Sequence, residues 1–365
     1  MIWLSWRQYR SQAIVAAGAL IVTAILLAAT RNGLAALYNS AGLPACHANC
    51  ATIASSFIDS IGSFDHILYF GSVALMYLAP ALMGLFWGAP LIAREFEAGT
   101  HRVAWNQSVT RTRWTLVKLA VVGVAGMLTA GLLSLMVTWW ASPIDHAAAL
   151  SGGAVQVGQQ AAAGGRATAT FFVLARLEPV IFAARGVAPL GYAAFAFALG
   201  VAAGVLLRRT VAAMALTLVV FVVIQVVVPN AVRPHLLQPI HVTTPVSIRN
   251  VNFNTNAIAG RRPAIQLTEP FDKPGAWVLS NAIITPSGAQ ITVPPQACDV
   301  TPGSGLASVA ECKRVLASMH LRHSVSYQPA SRFWPLQWIE TGVYLVLAAG
   351  LGWVCVWQVR RRRVA

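Results

Sequence analysis

Cys46, His47 and Cys50 stand within one five-residue stretch, and His320 and His323 form a second close pair. Sulfur and imidazole donors are the ligands of soft transition metals, so a metal site would be looked for here first. Their spacing matches no standard zinc pattern, and a disulfide with solvated histidines is the plainer reading; no metal is expected. Cys298 and Cys312 also lie outside the apolar stretches, whereas Cys355 lies inside one. Four such cysteines allow three pairings. Cys46–Cys50 and Cys298–Cys312 are favoured because each closes a short loop.

Carboxylates are the next candidates. Glu340 is the one acid that falls within an apolar stretch, close to its end, where snorkelling to water accounts for it. Carriers driven by protons or sodium keep acids or histidines at mid-membrane, and this chain does not show that pattern. Lys118, Lys273 and Lys313 are the only lysines and none follows a glycine, so there is no phosphate-binding loop of the G-x-x-x-x-G-K type. Dinucleotide, zinc-protease and nucleophile-elbow motifs are missing as well. The chain is expected to be no enzyme, to bind no cofactor itself, and to draw energy from elsewhere.

The elements that must position these residues follow from composition. Of 365 residues 57% are hydrophobic and 10% charged, with a mean hydropathy of +0.63. A soluble domain carries roughly 25% charged residues, so a polytopic membrane protein is the class, all-α in its spans. Six stretches meet the roughly 20-residue requirement of a spanning helix: 13–29, 67–93, 119–141, 186–207, 211–228 and 338–359. Stretch 168–185 is apolar but holds Arg176, Glu178, Pro179 and Arg185, and reads as a surface helix or short re-entrant element instead.

The net charge of +15 could suggest nucleic acid, but its placement answers to the bilayer. Thirteen of the 26 basic residues crowd into short segments near 1–12, 94–118, 208–209 and 360–363. By the positive-inside rule these face the cytoplasm, with both termini. Partners are then the lipid bilayer and other proteins, with no nucleic acid. The expected organisation is a cytoplasmic interfacial helix at 1–12 and spans one to five over 13–228. These spans carry an inner loop at 94–118 and outer loops at 30–66 and 142–185. An extracytoplasmic domain at 229–335 follows, β-rich by its alternating stretches and turn signals, and 336–365 holds span six with a basic tail.

The inner loop carries the clearest lettering. Arg94-Glu95-Phe96-Glu97-Ala98-Gly99-Thr100 is followed by an apolar turn at Val103–Trp105, then Ser108-Val109-Thr110-Arg111 and Lys118-Leu119. Physically this is a short element held across the membrane surface by two rigid spans, able to dock in a partner's groove or merely to obey the positive-inside rule. The segment resembles the cytoplasmic loop of ATP-binding-cassette (ABC) export permeases of the type-two class. It is particularly similar to an actinobacterial group, through Gly88-Ala89-Pro90-Leu91, Thr100-His101-Arg102, the opening Trp3–Arg10 and the ending from Tyr327 to Gly342.

The resemblance implies the transmembrane subunit of an exporter in the bacterial plasma membrane. It implies a dimer with a second permease copy, and a separate ABC ATPase subunit that supplies the ATP chemistry. It further implies ATPase-coupling roles for Glu95, Glu97, Gly99, Thr100, Arg102 and Trp105, and an interfacial helix bearing Trp3, Trp6, Arg7 and Arg10. The family usually has a small re-entrant hairpin where this chain has its long segment between spans five and six. A membrane-anchored extracytoplasmic sensor or assembly protein is the alternative. The cargo is not legible.

Overall fold

The computed structural model describes residues 2–47, 50–99, 110–151, 175–246, 252–256, 264–269, 271, 273–291 and 314–361, with the backbone alone for 2–8, 111, 252–256 and 264–268. The chain divides into two compact units, Met1–Leu237 with Ser331–Ala365, and Gln238–Ala330. The larger is helical: α1 (Ile2–Ser40), α2 (Cys50–Ser60), α3 (Ser63–Leu82), α4 (Ala89–Glu97), α5 (Arg111–Leu150), α6 (Pro179–Phe182), α7 (Ala188–Leu207), α8 (Thr210–Val227), α9 (Arg233–Leu236) and α10 (Phe333–Arg361). A π-turn at Met83–Gly88 fuses α3 to α4, and another at Val228–Val232 fuses α8 to α9. Among the described residues six helices are long and apolar enough to span a membrane.

The six spans are those read from hydropathy, but nearly every one is longer, for local reasons. The first begins in α1 with no break, so 2–12 of the expected interfacial helix 1–12 is continuous with 13–29 rather than separate. It also runs past Arg31, whose guanidinium lies 5.3 Å from the Trp139 ring and donates to Ser142 Oγ at 3.4 Å. The third span, read as 119–141, continues through Pro143. A proline deprives the carbonyl four residues earlier of its donor; here Ser142 Oγ donates to Trp139 O at 3.0 Å, and α5 continues to Leu150. The outer loops 30–66 and 142–185 are therefore largely helical at their described ends, and α2 buries Ala54 and Phe57. Pro229 likewise does not stop the fifth span: the wider π-turn accommodates it and the helix runs to Leu236. The boundary expected at 229 thus falls at Leu237/Gln238.

Helix α7 is the axis of the larger unit. Its residues are predominantly apolar on every face and half are Gly or Ala, most are buried, and it touches α4, α5, α8 and α10. Close approach comes from glycine. A Cβ on Gly200 would sit 2.3 Å from Gly84 O, and one on Gly88 would sit 2.5 Å from Phe197 O. Such pairs at four-residue spacing let helix backbones touch where lipid gives no hydrophobic drive. Around this axis one apolar cluster gathers Tyr9, Trp87, Trp114, Phe197 and Val359, and another gathers Leu34, Phe57, Tyr69, Met76 and Trp140.

The smaller unit holds an antiparallel sheet of strands β1 (Ile240–Pro245), β4 (Trp277–Ile284) and β5 (Arg322–Gln328) in the order β1-β5-β4. Strands β2 (Asn252–Asn256) and β3 (Ala264–Thr268) pair separately. Val325 and Tyr327 of β5 pack with Ala276 beneath the sheet. The β-rich reading of this segment matches its strands.

Candidate coupling site

Glu95, Glu97 and Gly99 lie together where the second span ends, at the end of the bundle that also carries Lys118, Arg208, Arg209 and Arg360. Gly99 follows the last turn of α4 with φ +67°, a left-handed conformation that glycine adopts without strain. Glu97 turns away from its own helix. Its Oε1 accepts from Thr210 N at 2.8 Å and its Oε2 from Thr210 Oγ1 at 2.6 Å. A carboxylate there satisfies an orphan amide of α8 and faces the positive end of its dipole. The end of span two is thereby tied to the start of span five. The connection from span four is only Arg208, itself left-handed at φ 55°, and Arg209.

Glu95 is tied in a different direction. It pairs with the buried Lys118 of α5, whose ammonium also lies 4.5 Å from the Trp114 ring. Thr110 caps α5, its Oγ1 accepting from Arg113 N at 3.4 Å. Both ends of the loop are thus anchored, and three spans meet on residues of one short sequence. Thr100, Arg102 and Trp105 lie outside the described residues. Trp3, Trp6 and Arg7 fall in the first turns of α1, of which only the backbone is described; Arg10 is exposed. Beside them Tyr9 meets Trp87 edge-on at 4.9 Å and Gln12 donates to Phe86 O at 2.8 Å, inside the π-turn.

The model of the family described as ABC-2 membrane transporter related matches residues 17–233, more than half of the chain. The chain belongs to that family. No curated protein and no solved structure gives a match. The matched residues begin inside the first span and stop at Arg233 inside the fifth, so span six and the smaller unit lie beyond them.

The opposite end of this ABC-2-type permease holds residues that the sequence reading missed. Glu340 does not snorkel. It is 1% exposed and accepts from Arg233 Nε at 2.7 Å, from Arg233 Nη2 at 2.9 Å and from the Tyr192 hydroxyl at 2.5 Å. Arg233 also covers the Phe182 ring at 4.2 Å and donates to Pro179 O. Asp145 and Arg185 form a second buried pair at 2.9 Å, with Tyr69 donating to Asp145 Oδ1 at 3.1 Å. Burial alone would lower the Arg185 pKa, but Asp145 facing it holds it above the ordinary value. Burial also raises the Glu178 carboxyl above its usual range.

Between the two pairs, α6 buries Ile181 and Phe182, and Gln337 of span six donates to Phe182 O at 2.9 Å while accepting from Val187 N and Ala188 N. Irregular backbone buried inside a helical bundle requires protein partners of this kind. The one signal available in sequence was the set of charges in 168–185, which marked that stretch as unfit for lipid.

The cysteine expectation is met for one pair: Cys46 and Cys50 are joined in a disulfide. Cys298 and Cys312 lie outside the described residues. Cys355 is buried in α10 with a free thiol.

Proposed function

We propose that this chain is the transmembrane permease subunit of an ATP-driven exporter, working as a dimer with a separate ABC ATPase, in a bacterial plasma membrane with both termini cytoplasmic. The family supports a permease that partners with an ATPase in general. The observation that carries the coupling role is the Glu97–Thr210 cap. A body docked on the loop 98–110 would push on spans two and three through the chain and on span five through this carboxylate. On this reading Glu95, Glu97 and Gly99, with Thr100, Arg102 and Trp105, form the contact to the ATPase. The first turns of α1, with Trp3, Trp6, Arg7 and Arg10, emerge at this same end of the bundle. The chain contributes no cofactor; ATP acts through the partner.

The test is co-expression with an ATPase subunit encoded beside it. The wild-type chain should co-purify with that subunit and stimulate ATP hydrolysis in vesicles. Glu97→Ala should keep the complex but cut the stimulation about fivefold or more, the lower range of ordinary coupling energies. Failure to recruit an ATPase, or full stimulation after residues 97–100 are replaced, would refute the proposal. A sensor that uses the compact unit Gln238–Ala330 is the competing reading; it is favoured if that unit's ligand binds while no ATPase is recruited.

A further inference from the structure

Two cavities meet at Gln12 and Trp87 in the larger unit. One, of about 260 Å³, is the more polar of the two, with Tyr9, Gln12, Arg94, Glu95 and Lys118 set among apolar residues beside the Trp87 ring. The other, of about 410 Å³, runs along α1 from Ser11 to Thr23, against the second span and α5, and its walls are almost wholly apolar. Val15, Leu82 and Phe86 on its rim are exposed, so it opens on the bundle's outer face, where acyl chains pack.

Three features say what fits. The Tyr9 ring is 4% exposed, and its hydroxyl is buried without a hydrogen-bond partner among the described residues. A buried donor left unmade is costly, and an acceptor oxygen on a ligand would recover that loss. Arg94 and Lys118 against Glu95 leave the polar cavity with one net positive charge, matching the single negative charge of a phosphate diester. The apolar groove begins where the polar cavity ends. Basic pockets between spanning helices suit phospholipid headgroups for these reasons.

We infer that this composite cleft holds one anionic glycerophospholipid of the surrounding bilayer, its phosphate diester at Arg94 and the Tyr9 hydroxyl and an acyl chain in the groove. The site requires only that these helices lie in a membrane. It is independent of whether the neighbouring loop contacts an ATPase.

Native mass spectrometry of the full chain in detergent tests this, with phosphatidylglycerol and phosphatidylcholine supplied in equal amounts. The wild type should retain phosphatidylglycerol about tenfold more than phosphatidylcholine, a difference of about 1.4 kcal/mol. Tyr9→Phe and Arg94→Gln should each erase most of that preference, and Ala16→Trp, which fills the groove, should remove the adduct. Excess glycerol 3-phosphate should not displace the lipid. Equal retention of the two lipids, no adduct on the wild type, or displacement by glycerol 3-phosphate would each overturn the inference. Should a variant not fold, a phosphatidylglycerol with a photoreactive acyl chain decides the matter on the unaltered protein. Crosslinks should fall within 11–23, 75–87 or 129–133, and crosslinks confined to other segments would refute the site.

Discussion

Arg233 and Glu340 meet side-on at the junction of spans five and six, two guanidinium nitrogens on two carboxylate oxygens at 2.7 and 2.9 Å, with both side chains almost fully buried. Such a fork-to-fork pair fixes orientation as well as proximity. Its stability contribution is a separate matter, because desolvation offsets much of the attraction, while a lone buried charge is costly. Removing one partner should therefore hurt far more than removing both. Arg233→Ala or Glu340→Ala should each destabilise the chain by about 3–5 kcal/mol, and Arg233→Met with Glu340→Leu by much less. Thermal unfolding of the four proteins in one detergent gives the comparison, and additive losses in the double variant would show that the pair does not act as a unit.

The glycine contacts of α7 allow a sharper steric forecast. A methyl at Gly200 would meet Gly84 O at 2.3 Å and Ala89 N at 2.7 Å, both backbone atoms that cannot turn aside. Gly200→Ala should lower stability by about 1–3 kcal/mol, the ordinary range for overpacking. Gly18→Ala in α1, with nothing within 4 Å, should be neutral or slightly stabilising. Melting temperatures of the two variants, moving in the same direction by the same amount, would contradict the seam.

Much of this arrangement was legible in advance, and what was not shares one cause. Hydropathy locates the six spans because their centres are apolar enough to need no tertiary information. Their ends depend on single contacts and backbone adjustments that hydropathy does not register: Arg31 on Trp139, Ser142 relieving Pro143, a π-turn absorbing Pro229. Misplacing the last of these put Arg233 in a soluble domain and left Glu340 without an evident partner. Glu95 and Glu97 stood out by their lettering, but nothing local distinguishes Lys118 or Thr210 as their partners, 23 and 113 residues away.

His323 makes the smaller unit sensitive to acid. Burial lowers its pKa from the ordinary 6.5, only partly countered by Glu269, whose Oε2 lies 3.6 Å from Nδ1; Nε2 is 2.7 Å from Asn281 Oδ1. The unfolded chain therefore binds this proton more readily than the folded one. The stability associated with the neutral ring is present above pH 6.5 and is lost as pH falls through the lower, folded pKa. Protection factors of the β4 and β5 amides in the full chain, taken against the intrinsic exchange rate at each pH, should be steady above that pH and fall below it. In His323→Gln the fall should shrink; an unchanged profile would assign it to other groups.

Cys46 and Cys50 close a very small loop, so their bond restricts the unfolded chain only modestly. Chain-entropy arguments give about 2 kcal/mol for a loop of this size. Non-reducing peptide mapping should return this pair joined, and Cys298 joined to Cys312 if the shortest loops decide the second pairing. A crosslink between the two regions would exclude both assignments. Cys46→Ser should leave all six spans intact, as judged by helical circular dichroism.

Helix α7, enclosed on every side, has a topological consequence. Among the described residues the central line of the bundle is filled by this helix, and α6 with its two flanking ion pairs caps the same line at one end. If the chain acts as the proposed permease, its cargo would pass along a face of the bundle, completed by the second copy, rather than down the described core.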